Sequence, residues 1–166
     1  MRFLNQSITV VFFLLVNLTL IVTSCDSQRV YEDQTEFQDR SWKVTEEPRF
    51  NFTIPDTVAR YNIYYNVRNS LSYPYARIFV TFHLYDSLGK ELSENLVNND
   101  LFDQKTGAPF GSSGLGDLYD HQFLLLKHHR FHARGNYSIK LDQMMRKDTL
   151  QGILAVGIRV EIEEKN

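Results

Sequence analysis

Alternation of apolar and polar residues with a period of two recurs along most of this chain, and it limits the fold class more than any other feature. Phe50, Phe52 and Ile54 alternate with Arg49, Asn51 and Thr53. Tyr61, Ile63, Tyr65 and Val67 alternate with Asn62, Tyr64, Asn66 and Arg68. Ile78, Val80, Phe82 and Leu84 form a third such face, and Tyr137, Ile139 and Leu141 a fourth. Leu154, Val156, Ile158, Val160 and Ile162 form the last. Successive side chains of a strand point to opposite sides, so this pattern describes antiparallel strands with one buried face each. The inward set is expected to include Phe50, Phe52, Ile63, Tyr65, Val80, Phe82, Ile139, Leu141, Val156, Ile158 and Val160.

Turn residues separate the runs. Pro48 and Pro55-Asp56 flank the Phe50 strand, Asp86-Ser-Leu-Gly89 reads as a hairpin turn into Lys90 to Val97, and Gly135-Asn136 opens the Tyr137 strand. The continuous run Phe123 to Leu126 predicts a strand buried on both sides. Gln143 to Leu150 has room for one helical turn. No segment of ten or more residues carries a convincing helical period. Many short strands with such punctuation predict an all-β, antiparallel β-sandwich, and jelly-roll-like topology is the choice.

The N-terminus sets the compartment. Met1 and Arg2 precede an apolar stretch from Ile8 to Val22, which closes on Thr23-Ser24-Cys25. A charged start, an apolar run and a small-residue exit describe a secretory signal peptide over residues 1–24. The run is shorter than the roughly 20 residues of a spanning helix, and Asp26, Gln28 and Arg29 follow at once. Cys25 is the lone cysteine. With no disulfide partner and no folded context before it, it reads as the lipid-accepting cysteine of a bacterial lipobox. Several acyl chains there give stable anchoring to membrane lipid, whereas one gives only marginal binding.

Removing residues 1–24 from the 166 leaves a single domain's worth of chain, with 20 acidic and 17 basic side chains. That mild acidity argues against nucleic acid as a partner. Residues 25–40 read as the lipidated cysteine and a polar tether, with an r.m.s. reach of roughly 20 Å, although Tyr31 and Phe37 are able to dock on the domain. The sandwich is expected over residues 41–166.

Three segments depart from plain strand pattern: Tyr65 to Tyr75, Asn99 to Asp103 leading to Gly107 and Pro109, and Gly111 to His121. Loops dense in aromatic, amide and carboxylate groups are common binding sites. The glycine-rich segment lacks phosphate-loop spacing and reads as a turning loop. Among the histidines, His128 and His132 lie in strand or loop context, too far apart to close a metal site, so no metal and no cofactor is expected. No nucleophile elbow or zinc-protease motif is present, and no catalytic residue is assigned. A hydrolase would need Asp103, Asp117, Asp120 and His121 to converge. A carbohydrate-binding module would use exposed rings among Trp42, Tyr64, Tyr73, Tyr75 and Tyr119. The candidate partner-binding patch is Asn66, Arg68, Asn69, Tyr73 and Tyr75 opposite Asp117 and His121. The competing reading of that patch is an Arg68 pair with Asp117 or Asp120 that only holds the loop.

The stretches CDSQRVYE at 25–32, YNIYYNVRNSLSYPYARIFV at 61–80, LFDQKTGAPFG at 101–111, GLGDLYDHQF at 114–123 and QGILAVGIRVE at 151–161 resemble the GldH family of gliding-motility lipoproteins of Bacteroidota. The resemblance runs from the lipobox nearly to the C-terminus. It implies a non-catalytic envelope protein needed for surface gliding, with gliding and type IX secretion proteins as partners. Of the site residues, it carries over Cys25 alone. Asp26 is a residue that favours inner-membrane retention in enterobacteria, but an outer-membrane anchor facing the periplasm is the expectation in this phylum. Asp56-Thr57-Val58, Asp86-Ser87-Leu88 and Asp148-Thr149-Leu150 resemble the O-glycosylation triplet of that phylum. They make Thr57, Ser87 and Thr149 candidate acceptors, on what should be exposed turns.

Overall fold

The computed structural model describes residues 26–114 and 116–163; the signal peptide and Cys25 lie outside the described residues. The strands are β1 (Arg29–Glu36), β2 (Ser41–Lys43), β3 (Arg49–Ile54), β4 (Tyr61–Ser70), β5 (Arg77–Tyr85), β6 (Glu91–Asp100), β7 (Ser112–Ser113), β8 (Leu118–His129), β9 (Gly135–Gln143), β10 (Thr149–Gln151) and β11 (Ile153–Ile162). They form a five-stranded sheet in the order β1-β11-β4-β8-β7 and a four-stranded sheet in the order β3-β9-β5-β6, with a small β10-β2 pair beside them. Every pairing is antiparallel.

Ranked along the chain, the eight strands of six or more residues stand in the orders 1-8-3-6 and 2-7-4-5. That is a jelly roll, the topology chosen for the many short, turn-punctuated strands, in which most connections cross from one sheet to the other. The β5–β6 hairpin stays within one sheet. Its turn is the predicted Asp86–Gly89 segment: the Gly89 amide donates to the Asp86 carbonyl at 3.0 Å, and Asp86 Oδ1 accepts the Leu88 and Lys90 amides.

The core fills the space between the sheets. All eleven residues expected to point inward are buried there, joined by Trp42, Tyr61, Leu84, Leu101, Phe131 and Leu150. Phe131, between β8 and β9, closes one end against Tyr137 (4.5 Å between ring centroids), Tyr61 (5.5 Å) and Phe52 (6.1 Å). The Tyr65 hydroxyl crosses between sheets, donating to Asn99 Oδ1 at 2.6 Å.

Four local expectations are corrected. The tether over 25–40 is strand from Arg29 to Glu36, laddered to β11 from Arg29↔Glu161 to Glu36↔Ala155. Backbone pairing, with Tyr31 packed 5.9 Å from Phe52, orders this segment without an apolar stripe. Phe37 then docks on Trp42, with rings stacked at 5.4 Å. The Phe123–Leu126 run is covered on one face only, and Leu124 is 44% exposed. In β11 a register shift between Ile153 and Ala155 places Ile153, rather than Leu154, in the core. Residues 143–150 form no helix. The buried Gln143 side chain donates to the Lys147 carbonyl at 2.6 Å and accepts the Met145 amide at 3.0 Å, taking over backbone groups that a helical turn would use.

Candidate functional site

The outward side of the five-stranded sheet carries a polar groove of about 240 Å³ over β1, β11, β4 and β8. The ladder registers build it in three rows. The middle row is Gln34–Gly157–Asn66–Gln122. One flanking row is Glu36–Ala155–Arg68–Asp120, and the other is Glu32–Arg159–Tyr64–Leu124. The floor is low because Ala155 and Gly157 place almost no side chain on β11. Glycine is required at 157, where a Cβ would stand 2.5 Å from the Asp33 carbonyl oxygen.

Charges close both ends of the groove. Arg68 donates to Asp120 through Nε at 2.7 Å and through a terminal nitrogen at 3.3 Å. That hydrogen bond is the main reason the Arg68 pKa lies above its ordinary value. At the other end Arg159 contacts Glu161, Glu32 and Asp26. Burial acts to lower the Arg159 pKa, and these carboxylates outweigh it and raise it. Burial, and then Glu161, push the Tyr64 hydroxyl up. Between the ends lie three amides, and Asn66 Oδ1 is buried without a hydrogen-bond partner. Paired charges at the rims and a row of amides between them, with Asn66 Oδ1 unsatisfied, suit a neutral polar surface with its own donors and acceptors. The volume is below the roughly 300–1,000 Å³ of pockets that enclose a drug-sized ligand.

The segments 66–75 and 114–121 do lie side by side, through the β4–β8 ladder and the Leu71 amide donating to the Asp117 carbonyl at 3.0 Å. The seven patch residues, however, do not share one surface. Asn66 and Arg68 line the groove. Asn69 is fully buried, and its amide donates to the Ser70 carbonyl. Tyr73 is buried and donates to the Arg77 carbonyl at 3.0 Å. Tyr75 meets Tyr73 edge-on at 5.5 Å and lines a separate apolar depression with Pro74, Phe79 and Met145. Asp117 is exposed and pairs with Arg40 at 3.3 Å. His121 points into the core and stacks on Phe123 at 5.6 Å. Strand parity explains the split: Asp120 faces out, so His121 faces in.

The residues named for other chemistries are also committed elsewhere. Asp103 accepts the Lys105 and Thr106 amides at 2.8 and 2.7 Å, and these bonds hold its carboxyl below the usual range. With Asp117 on Arg40, Asp120 on Arg68 and His121 inside, the four form no shared cleft. Trp42 is fully buried, with its indole nitrogen donating to the Glu46 carbonyl at 2.8 Å, so Trp42 and Tyr73 offer no exposed ring for a sugar. Leu101 and Phe102, in the second of the unusual segments, are core residues. Thr57 and Ser87 sit in turns, but Thr149 opens β10 opposite Lys43 and is half-buried, not on an exposed turn. Gln34, Gln122 and Glu32 of the groove were missed. Residues 32–36 are polar throughout, so the sequence carried no signal of which of them share a face with Asn66.

The fold and its outward face define an antiparallel jelly-roll sandwich with no convergent catalytic constellation among the groups named above. The family model described as GldH lipoprotein matches residues 29–160, nearly the whole of the sandwich, and the chain belongs to that family. It is similar to the gliding motility lipoprotein GldH homolog of Christiangramia forsetii, 26% identical over 157 residues and covering 90% of this chain and 93% of that one. It is also similar to the gliding motility lipoprotein GldH of Flavobacterium johnsoniae, 22% identical over 158 residues and covering 89% and 94%. Among solved structures, the VP2 subviral particle of infectious bursal disease virus aligns with a TM-score of 0.36 at 12% identity, over 82% of this chain and 31% of that one.

Proposed function

We propose that this protein is a non-catalytic component of the gliding-motility machinery, held in the outer membrane by acylated Cys25 and facing the periplasm. Its outward groove on the five-stranded sheet docks a protein of the gliding or type IX secretion apparatus. The observation that carries the functional reading is the family match over residues 29–160, which spans nearly the whole sandwich. The groove supports the choice of surface: Asn66 Oδ1 is buried without a hydrogen-bond partner beside the exposed Gln34 and Gln122 side chains, and a main-chain amide of a docked protein would satisfy it. The Asp-Ser and Asp-Thr triplets support O-glycosylation at Thr57 and Ser87, which sit in turns, in the native host. An intact mass equal to the lipidated polypeptide alone would remove that part of the reading.

Two experiments test the rest. Cys25→Ala should abolish incorporation of a fatty-acid analogue and stop colony spreading; equal labelling of the variant contradicts the anchor. A photocrosslinking side chain placed at Gln34 or Gln122 should capture the same envelope protein in living cells. The same probe at exposed Asn95, on the other sheet, should not. Equal capture from all three positions, or none in cells that glide normally, contradicts the docking face.

A further inference from the structure

On the outward side of the four-stranded sheet, His83 of β5 stands among carboxylates. Its Nδ1 lies 3.1 Å from Glu91 Oε1, and its Nε2 lies 3.0 Å from Asp142 Oδ2. Glu94 sits directly opposite His83 in the β5–β6 ladder. The donor atoms of His83, Glu91 and Glu94 all lie within 4.8 Å of one another. In an unbroken strand, residues 91 and 94 would point to opposite faces. The register shift between Leu84 and Tyr85 removes that constraint, so both carboxylates reach the same imidazole.

The imidazole stands between two carboxylates, one at each ring nitrogen. A neutral imidazole has one N–H. If Nε2 donates it to Asp142, Nδ1 turns a lone pair toward the Glu91 carboxylate, and two acceptors face each other. Carboxylates also outnumber cations around this imidazole. Four carboxylates belong to this cluster: Glu91, Glu94, Asp142, and Glu47 through Lys140. The cations tied to it are Lys140, 2.8 Å from Asp142, and Arg49, which lies over the Tyr85 ring that stacks on His83. Asp142 Oδ1 is, besides, buried without a partner.

We infer that His83 Nδ1, Glu91 and Glu94 bind a divalent transition-metal ion of the zinc class, with Asp142 as the outer carboxylate that fixes the imidazole tautomer. A mixed nitrogen and carboxylate donor set suits zinc, and two donors at about 2.1 Å from a tetrahedral ion stand about 3.4 Å apart, close to the His83–Glu91 spacing. Calcium takes six to eight oxygens, which this set does not supply. A carboxylate behind the ligating histidine is the usual arrangement around zinc. The ion would join the edge strand β6 to β5 and leave a coordination position open at the surface, because Glu91 and Glu94 are exposed.

The test is a calorimetric titration of zinc ion alone into the full-length lipoprotein, purified in detergent and stripped with EDTA. One ion per chain is expected. Binding should weaken at least about tenfold in His83→Asn and in Glu94→Gln, and about 10- to 100-fold in Asp142→Asn. Thermal melts without metal establish that each variant is folded; Glu94 is exposed, so its variant keeps the fold. Zinc should raise the melting temperature of the wild type and not of Glu94→Gln. Absence of zinc binding overturns the site. So does equal binding by wild type, His83→Asn and Glu94→Gln, which would assign the ion to other groups such as His128, His129 and His132. Tighter binding of calcium than of zinc overturns the class of metal.

Discussion

On β4, Tyr61, Ile63, Tyr65 and Val67 point inward and are at most 1% exposed, whereas the residues between them, Asn62, Tyr64, Asn66 and Arg68, remain half-buried on the outward side. The two faces share one backbone and one set of ladder bonds, yet they answer to different physics. The inward residues touch only protein, and their identity is constrained by volume and water exclusion. The outward residues are half-buried and held by polar and ionic contacts to neighbouring strands, which tolerate changes of volume more readily than the core does. The comparison separates what makes the sandwich fold from what it presents to a partner.

The largest expected effect lies on the inward side. Phe82→Ala removes a fully enclosed ring between the sheets and should cost about 3–5 kcal/mol, measured as a lower denaturant midpoint at unchanged slope. In cells, abundance and spreading should fall together. A midpoint unchanged within error would break the assignment of inward and outward faces.

The sandwich was legible because its strands obey the period of two where one face meets the core, as in β3, β4, β5 and β9. β1 was not legible: its order comes from backbone pairing with β11, and Glu32, Gln34 and Glu36 leave no apolar trace. The misplacement of His121 has a similar origin. Composition marks a loop as polar, but only strand parity tells which of Asp120 and His121 faces water. Asn66 and Arg68 were legible as candidates because polar residues between buried ones lie on an outward face. Their groove was not, because Gln34 and Gln122 approach them only through long-range ladders. The His83 cluster was hidden for a related reason. His83, Glu91 and Glu94 are joined across a hairpin with a bulge, and local spacing of histidines carries no sign of it.

A middle-sized effect tests a titratable group found on the wrong side of that division. Burial holds the His121 pKa below its ordinary value, against an opposing pull from Asp120. Burial, and then His132, lower that of His129 as well. The unfolded chain therefore binds protons that the folded chain refuses. Stability is full above about pH 6.5, the unfolded value, and declines as pH falls from there toward the lower folded values. The depressed carboxylates Asp100 and Asp103 act in a separate window, since their contribution persists above their ordinary value of 3.8 and fades only as pH falls through their lower folded values. With EDTA present to keep metal away from His83, the denaturant midpoint should drop between about pH 7.5 and 5.5. His121→Phe should remove part of that drop. It should also be neutral or mildly stabilising at neutral pH, because it deletes a buried nitrogen, Nε2, that has no partner. An identical pH slope in the variant would show that His121 is not the sensor.

The smallest effect on stability should accompany the sharpest effect on function. Arg68 and Asp120 join β4 to β8 by a two-pronged pair, but their side chains are 36% and 45% exposed. Ion pairs open to solvent contribute about 0–1 kcal/mol. Arg68→Ala should therefore leave the melting temperature and the cellular level of the protein nearly unchanged. If the groove docks a partner, the same variant should stop or strongly reduce colony spreading, since arginine is among the residue types that dominate binding energy. Tyr75→Ala is the internal contrast: its ring lines a different depression, beside Phe79 and Met145, and its loss should leave spreading intact. Depletion of the Arg68→Ala protein from cells, with spreading restored by overexpression, would make the pair a structural clip. Normal spreading at normal abundance would remove Arg68 from the working surface, and with it the argument that this outward face was shaped for a partner.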